Sequence, residues 1–115
     1  METKVDITIC SEKSCQVLKD VLVDTGATLS SINRETADRL GIQPTRKEQF
    51  QTAEGTRSFD IGLATLTIQG KEVRQEVVIL DEGPSVVGVL TLEQARFKVD
   101  TSKGQLESVG PANLI

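Results

Sequence analysis

Short runs of alternating apolar and polar residues, separated by residues that favour turns, constrain the fold of this chain more than any other feature. In the first run Val5, Ile7 and Ile9 share one face of a predicted strand. Turn residues at 11–14 and 69–71 then connect two predicted hairpins. The strands predicted in this way cover residues 5–9, 17–23, 61–68, 73–80, 97–100 and 105–109. This repetition predicts an all-β fold.

Two segments break the alternation and predict short helices. Asn33 can cap a helix over Arg34–Leu40, which Gly41 would end. The sequence Thr-Leu-Glu-Gln at 91–94 is a capping box, so a second helix is predicted to begin at Thr91 and end near Arg96. Because no linker divides the 115 residues, we predict one domain over 1–115, with a core over about 5–100 and a C-terminal extension over 101–115.

The composition sets the kind of core and excludes several kinds of function. Apolar residues make up 37% of the chain and aromatic residues only 3%, so Val, Ile and Leu must build the core, as suits a small β barrel or sandwich. The absence of histidine excludes Ser-His-Asp and Cys-His catalysis and histidine metal sites within this chain. No metal or other cofactor is expected. The net charge of −4 and the lack of aromatic platforms argue against a nucleic-acid partner.

The two cysteines and the hydropathy of the chain bear on its location. Cys10 and Cys15 bracket four residues, and if these turn a hairpin the two thiols could face each other. The sequence shows no signal peptide and no membrane-spanning segment, so we expect a cytoplasmic protein with no membrane partner. Cytosolic proteins seldom keep disulfides, and the favoured interpretation is therefore that both cysteines are reduced.

The segment Val-Leu-Val-Asp-Thr-Gly-Ala-Thr at 21–28 carries the candidate chemistry, because an apolar strand runs directly into an acid. A carboxylate at the end of a buried strand is costly unless something compensates it. Gly26 permits a tight turn that aims backbone N–H groups at Asp24, and Thr25 adds a hydroxyl. An ordinary turn that closes a hairpin would use the same residues. The apolar residues that follow, Leu29 and Ile32, argue against that alternative.

A second apolar strand, predicted over 84–90, is interrupted by Gly88 directly before the second helix. A glycine inside a buried strand often marks the close approach of another backbone or of a ligand. We therefore interpret this glycine together with the Asp24 segment rather than by itself.

Together these features resemble the retropepsin-like aspartic proteases, the single-lobe and homodimeric relatives of pepsin. The resemblance covers about residues 5–100: the strand into Asp24-Thr25-Gly26-Ala27, the hairpin near Thr52–Arg57 where the family has its flap, and Val86-Val87-Gly88 before a helix. Thr28 departs from the Ser or Asp that the family usually has there. The residues after Asp100 extend beyond the retroviral members, and their apolar end, Leu114-Ile115, could serve a variant of the dimer interface.

The resemblance implies a small closed barrel of the retropepsin type and an aspartic endopeptidase. Asp24 would be the catalytic residue, and a water held between the two Asp24 carboxylates of a homodimer would attack the peptide bond of an extended polypeptide, at mildly acidic pH. The other roles implied are support of the active-site loop by Thr25, Gly26, Ala27 and Thr28, a flap formed by Ala53, Glu54, Gly55 and Thr56, and packing beneath the loop by Val86, Val87 and Gly88.

No other aspartate of the chain suits the role of the second carboxylate. Asp100 precedes Thr101-Ser102, where serine lacks the freedom of glycine, and Asp81 begins a surface turn. Two alternative functions stay open. One is a retropepsin fold used as a dimerisation or peptide-binding module with little or no proteolysis. The other is a small β-barrel binding domain in which Asp24 only closes a turn.

Overall fold

The computed structural model describes residues 2–114, which form strands for most of their length and two short helices. The all-β prediction is therefore confirmed. The elements, in chain order, are β1 Lys4–Cys10, β2 Cys15–Val23, β3 Ser31–Asn33, α1 Arg34–Leu40, β4 Pro44–Thr52, β5 Gly55–Ile68, β6 Lys71–Leu80, β7 Val86–Val87, α2 Val89–Ala95, β8 Phe97–Asp100 and β9 Gln105–Ser108.

Seven of the strands form one sheet that closes on itself. Its order is β1-β2-β7-β3-β6-β5-β4, and an additional pairing of β1 with β5 joins the two sides into a ring of six strands. The strand β4 lies outside the ring and, among the strands that the structure describes, pairs with β5 alone. β2 runs parallel to β7, and β3 runs parallel to β6, whereas the hairpin partners are antiparallel. The expected closed barrel is thus seen as a ring-shaped sheet.

The interior of the ring is aliphatic, as the composition predicts. The alternating residues Val5, Ile7 and Ile9 of β1 are at most 8% exposed and face inward. They meet the inward-facing residues of the neighbouring strands, and the largest of these in full burial are Ile32, Ile61, Leu66, Ile68, Val77, Ile79 and Val87. Burial of about seven such side chains contributes roughly 1.5–3 kcal/mol each before the loss of chain entropy is counted.

The first helix begins and ends where the sequence predicts. Asn33 accepts a hydrogen bond from the Thr36 amide at 2.8 Å through its side-chain oxygen. Gly41 ends the helix in the left-handed conformation, at φ 75°, and its N–H donates to the last carbonyls. α1 therefore packs its buried face, Thr36, Ala37 and Leu40, at a fixed angle on the sheet.

The second helix begins earlier than predicted. Its N-cap is Gly88, and Val89 and Leu90, which we assigned to a strand, form its first turn. Thr91 is thus inside the helix, and the predicted capping box does not form. The physical reason is that the Thr91 hydroxyl, buried at 0% exposure, bonds to side chains of other elements instead of to its own helix.

The expectation of two reduced cysteines is wrong in the structure. Cys10 and Cys15 are opposite each other in the β1–β2 register and form a disulfide. The turn between them is tight, because the Ser11 amide donates to the Ser14 carbonyl at 2.9 Å. The Ser11 hydroxyl also donates to the carbonyl of Leu40 at 2.6 Å, which ties this hairpin to the end of α1.

The last strands form a separate hairpin. β8 and β9 pair antiparallel as a two-stranded sheet, with Val99 opposite Leu106. Arg96 holds the segment that follows, because its guanidinium donates to the carbonyls of Gly110 and Pro111 at 3.1 and 3.4 Å. Within residues 2–114, neither helix is long and apolar enough to cross a membrane.

Candidate active site

Asp24 lies directly after β2, where three backbone hydrogen bonds fix its position. The Val23 amide donates to the Thr3 carbonyl at 2.8 Å, and the Asp24 amide donates to the Val87 carbonyl at 2.9 Å. The Ala27 amide then donates back to the Asp24 carbonyl at 3.0 Å and closes the turn. The parallel pairing of β2 with β7 therefore sets the position of Asp24.

The carboxylate itself accepts a hydrogen bond from its own turn. The Gly26 amide donates to Oδ1 of Asp24 at 2.9 Å. A Cβ atom at position 26 would lie 3.2 Å from that oxygen, so glycine lets the backbone approach the acid closely. Asp24 is half-buried, and Thr25, Gly26 and Thr28 are exposed beside it. This arrangement presents one carboxylate at the surface in a fixed orientation.

Gly88 and the first turn of α2 hold the loop of residues 24–28, called here the active-site loop, from behind. The amides of Val89 and Leu90 donate to the carbonyls of Ala27 and Thr28 at 2.8 and 3.1 Å. A Cβ atom at Gly88 would lie 2.5 Å from the carbonyl carbon of Leu29, a distance that no real contact allows. The close approach expected from the glycine is therefore an approach of backbone to backbone.

Asp24 lines a cleft of about 360 Å³, which is near the lower limit of about 300 Å³ for small-molecule pockets. Gly26, Ala27 and Thr28 form its floor beside the acid, and Val86 lies on its wall. Val87 is fully buried beneath the loop. The remaining lining residues are Leu29, Ser31, Phe50, Gln51, Thr52, Phe59, Val78 and Leu80. Most of these are apolar, so the cleft suits an apolar side chain beside a carboxylate.

The hairpin of β4 and β5 covers one side of this cleft. Its tip is a two-residue turn at Ala53-Glu54, and the Thr52 hydroxyl donates to the Gly55 carbonyl at 2.7 Å across it. Gly55 has φ 105°, which favours glycine. Ala53, Glu54, Gly55 and Thr56, the predicted flap residues, do not line the cleft of this single chain.

Two phenylalanines behind that tip line the cleft instead, and the sequence analysis did not single them out. Phe50 on β4 and Phe59 on β5 lie on the same face of the hairpin, with ring centroids 6.0 Å apart. Arg57 lies over the Phe59 ring, 5.4 Å from its centroid. Two of only three aromatic residues occur in an otherwise polar hairpin, and that is the signal that could have found them.

Among residues 2–114, Asp24 is the only carboxylate that lines this cleft. Asp100 is held in its own turn, because the Ser102 hydroxyl and the amides of Ser102 and Lys103 all donate to its Oδ1. These bonds, the Ser102 hydroxyl first, lower the pKa of Asp100 below its usual range. Asp81 pairs with Arg34 at 2.9 Å and lines a different depression. The described residues therefore place a single acid in the cleft.

A charge cluster stands at the base of the hairpin, next to the cleft. Asp60 accepts from Lys47 at 2.8 Å and pairs with Arg34 of α1 at 3.0 Å. The Lys47 hydrogen bond, followed by that of Arg34, lowers the pKa of Asp60. The cluster joins β4 and β5 to α1, and Phe59 separates it from the cleft. No group of three or more Cys, Asp or Glu side chains in the described part of the chain could hold a metal ion.

Comparison with known proteins decides the family. The family model described as "Aspartyl protease" matches residues 5–94, which is most of the chain and includes Asp24, the hairpin tip and Gly88. The chain belongs to the aspartyl protease family. No curated protein sequence matches it.

Solved structures place this family member among the retroviral proteases in fold. The EIAV protease in complex with the inhibitor HBY-793 matches with a TM-score of 0.61 and 20% identity, over 82% of this chain and 88% of that one. The solution structure of the simian foamy virus (mac) protease matches with a TM-score of 0.60 and 19% identity, over 79% and 92%. At these identities the likeness concerns the fold, which is retropepsin-like as the sequence features suggested.

Proposed function

We propose that this aspartyl protease family member is an endopeptidase in which Asp24 is the catalytic residue and two chains form one active site. The observation that carries the proposal is the position of Asp24. It is fixed by its own turn, it lines an apolar cleft, and within residues 2–114 it has no second carboxylate there. The mechanism of aspartic proteases uses two carboxylates, one as the general base that accepts a proton from water and the other as the general acid. A second copy of Asp24, related by a two-fold axis, supplies the missing group.

In the proposed dimer the two carboxylates share one proton and hold a water molecule between them. The ionised carboxylate accepts a proton from the water, which attacks the carbonyl carbon, and the protonated carboxylate donates to the carbonyl oxygen. Because the proposed chemistry needs one carboxylate as base and the other as acid, we expect activity to be highest at mildly acidic pH. The role proposed for Thr25, which is exposed beside Asp24, is to hydrogen-bond across the two-fold axis of this dimer.

The substrate we propose is a polypeptide in extended form. Phe50 and Phe59 offer an apolar wall for its side chains, and Gly26, Ala27 and Thr28 offer backbone groups beside the acid. The hairpin tip at Ala53, Glu54, Gly55 and Thr56 acts as the flap that closes over the peptide by strand-like hydrogen bonding.

The second copy also gives a role to the C-terminal extension. The hairpin of β8 and β9 has an open outer edge, and Val109 and Leu114 after it are 41% and 99% exposed. We propose that this extension is part of the dimer interface. Ile115, the last residue of the apolar end invoked for the interface, lies outside the described residues.

The cytoplasmic location expected from the sequence stays a prediction. The Cys10–Cys15 disulfide runs against it, because reducing compartments seldom keep disulfides. Alkylation of free thiols immediately on cell lysis, followed by mass measurement, tests it. A protein with both cysteines alkylated supports a cytoplasmic location. A protein in which neither cysteine is alkylated contradicts it.

Cleavage of a quenched-fluorescence peptide library at about pH 4–7 tests the catalytic proposal. Asp24→Asn keeps the shape of the side chain but cannot act as the base, so we expect kcat/KM to fall by about 10²–10⁴-fold. Asp20→Asn is the matched control, because Asp20 is exposed on β2 with φ 52°, a conformation that Asn adopts readily. Its activity should equal that of the wild type.

The solution mass of the same samples separates the alternative functions. A dimer that cleaves only with Asp24 intact supports the endopeptidase. A dimer that cleaves nothing supports a dimerisation or peptide-binding module, and a monomer without cleavage leaves the binding domain in which Asp24 closes a turn. Cleavage that survives Asp24→Asn eliminates the proposed mechanism.

A further inference from the structure

A chain of buried hydrogen bonds connects the segment after the active-site loop to α2 and β6. The Gly88 amide donates to the Ser30 hydroxyl at 2.9 Å, and Ser30 lies 2.6 Å from the Thr91 hydroxyl. The Thr91 hydroxyl lies 2.6 Å from Oε1 of Gln75. Ser30 and Thr91 are only 2% and 0% exposed. Burying a hydroxyl costs free energy unless it is hydrogen-bonded, so the partners of these two hydroxyls are needed for the stability of this region.

The direction of each hydrogen bond in this chain follows from the chemistry of the groups. The carboxamide oxygen of Gln75 can only accept, so the Thr91 hydroxyl donates its one proton there. The Ser30 hydroxyl must then donate to Thr91, and its oxygen accepts from the Gly88 amide. The order is Gly88 to Ser30 to Thr91 to Gln75, with each hydroxyl both donating and accepting.

Gln75, at the far end of this chain of hydrogen bonds, is anchored as well. Nε2 of Gln75 donates to the Leu90 carbonyl at 3.0 Å and to Oε1 of Gln94 at 2.6 Å. Gln75 therefore holds the first turn and the later part of α2 against β6. That first turn carries the Val89 and Leu90 amides, which donate to the carbonyls of Ala27 and Thr28 in the active-site loop.

We propose that Ser30, Thr91 and Gln75 are positioning residues for Asp24. They lock the start of α2 in place, and α2 in turn holds the active-site loop through two amide-to-carbonyl hydrogen bonds. The inference rests on the proposed function, because the position of the loop sets the separation of the two Asp24 carboxylates in the dimer. None of the three residues lies beside the reacting atoms, and none was singled out from the sequence as a functional residue.

Thr91→Val tests the proposal, because valine keeps the branched shape of threonine and has a methyl group, which cannot hydrogen-bond, in place of the hydroxyl. Displacement of catalytic groups by about 1 Å can cost about 100-fold in rate, so we expect kcat to fall by about 10- to 100-fold while KM changes by less than about twofold. Thr91→Ser restores the hydroxyl and should recover most of kcat. Thr36→Val is the matched control: Thr36 is also buried, lies on α1, and takes no part in the chain of hydrogen bonds.

Amide hydrogen exchange supplies a readout that does not depend on activity. The amide of Leu66, which lies in the core strand β5, reports global unfolding. In Thr91→Val the ratio of the exchange rates of the Val89 and Leu90 amides to that of the Leu66 amide should rise about tenfold above the wild-type ratio. In Thr91→Ser and Thr36→Val the ratio should stay near that of the wild type.

The outcomes separate this inference from the proposed function. If the wild-type chain cleaves nothing, the proposed function fails, and the exchange ratio alone decides whether the chain of hydrogen bonds holds the loop. If the wild type is active and Thr91→Val keeps its kcat, or loses no more of it than Thr36→Val, the positioning role is overturned. A Thr91→Ser variant as slow as Thr91→Val overturns it too, because the hydroxyl would then not be the cause.

Discussion

Replacing Gly88 with alanine should destabilise the fold far more than adding one methyl group to a protein core ordinarily does. The new Cβ would lie 2.5 and 2.6 Å from the carbonyl carbon and oxygen of Leu29, and 2.9 Å from the carbonyl oxygen of Ala27. All three neighbours are backbone atoms of the active-site loop or its continuation, so they cannot move by a change of rotamer. Gly88 has φ −95°, and the penalty is therefore steric and not a matter of backbone conformation.

The size of the expected loss in the free energy of unfolding follows from the backbone atoms that must move. Overpacking at ordinary core sites costs about 1–3 kcal/mol, because side chains absorb most of the strain. Here the backbone must shift by roughly 1 Å, and the hydrogen bonds of Val89 and Leu90 to the loop are lost or lengthened at about 1 kcal/mol each. We expect Gly88→Ala to lower the free energy of unfolding by at least about 3 kcal/mol.

Gly62→Ala is the matched control within the same sheet. Gly62 is also buried, but the two closest contacts of its Cβ would be with side-chain methyl groups, Cγ2 of Ile42 at 2.8 Å and Cδ1 of Ile79 at 3.2 Å, and the nearest backbone atom, the carbonyl oxygen of Gln43, lies at 3.4 Å. We expect a cost of about 1–3 kcal/mol there, as at ordinary core sites and less than at Gly88. Because the chain has no Trp or Tyr, urea unfolding is followed by far-ultraviolet circular dichroism. All variants are measured at the same protein concentration, because the apparent stability of a dimer depends on concentration. Equal costs for the two variants would refute the placement of Gly88.

Two further predictions concern the charge cluster and the disulfide. The pKa of Asp60 is lowered in the folded chain by Lys47 and then Arg34, so its ionised form stabilises the fold above the ordinary pKa, and this contribution is lost as pH falls through the lowered value. Asp60→Asn should therefore be less stable than the wild type in thermal unfolding at neutral pH, and the difference should shrink as the pH falls through the lowered pKa of Asp60; a difference that does not vary with pH would contradict the assignment. Replacing both Cys10 and Cys15 with serine removes the bond that closes a short loop in the unfolded chain. Because the unfolded chain then gains entropy, we expect the free energy of unfolding to fall by about 2 kcal/mol. A urea midpoint unchanged from that of the oxidised wild type would show that the bond does not constrain the unfolded chain.

The sequence predicted the features whose causes are local. Strand β1 follows from the alternation of Val5, Ile7 and Ile9, and helix α1 follows from Asn33 and Gly41, because capping depends on neighbouring residues alone. The turn at Asp24 was predictable for the same reason. A glycine two residues after the acid is all that the hydrogen bond to its carboxylate requires.

The features that the sequence did not predict depend on partners distant in the chain. Thr91 has the local pattern of an N-cap, yet its hydroxyl bonds to Ser30 and Gln75, 61 and 16 residues away. Phe50 and Phe59 stand out in the sequence only as aromatic residues in a polar hairpin, and the cleft that they line depends on how this hairpin packs on the rest of the sheet. The hairpin that brings Cys10 and Cys15 together was foreseen as a possibility, but the interpretation as reduced thiols rested on the expected cytoplasmic location and not on the register of the two strands.

The central claim is that one active site needs an Asp24 from each of two chains, and a subunit-mixing experiment tests it most directly. Wild-type protein is mixed with a ninefold excess of Asp24→Asn, allowed to exchange subunits, and assayed for cleavage per wild-type chain. If both acids are needed, only pairs of wild-type chains are active, and the activity should fall to about one tenth, while the same excess of Asp20→Asn should not lower it. Activity per wild-type chain that the Asp24→Asn excess leaves unchanged would contradict the claim, because each chain would then hold a complete site of its own.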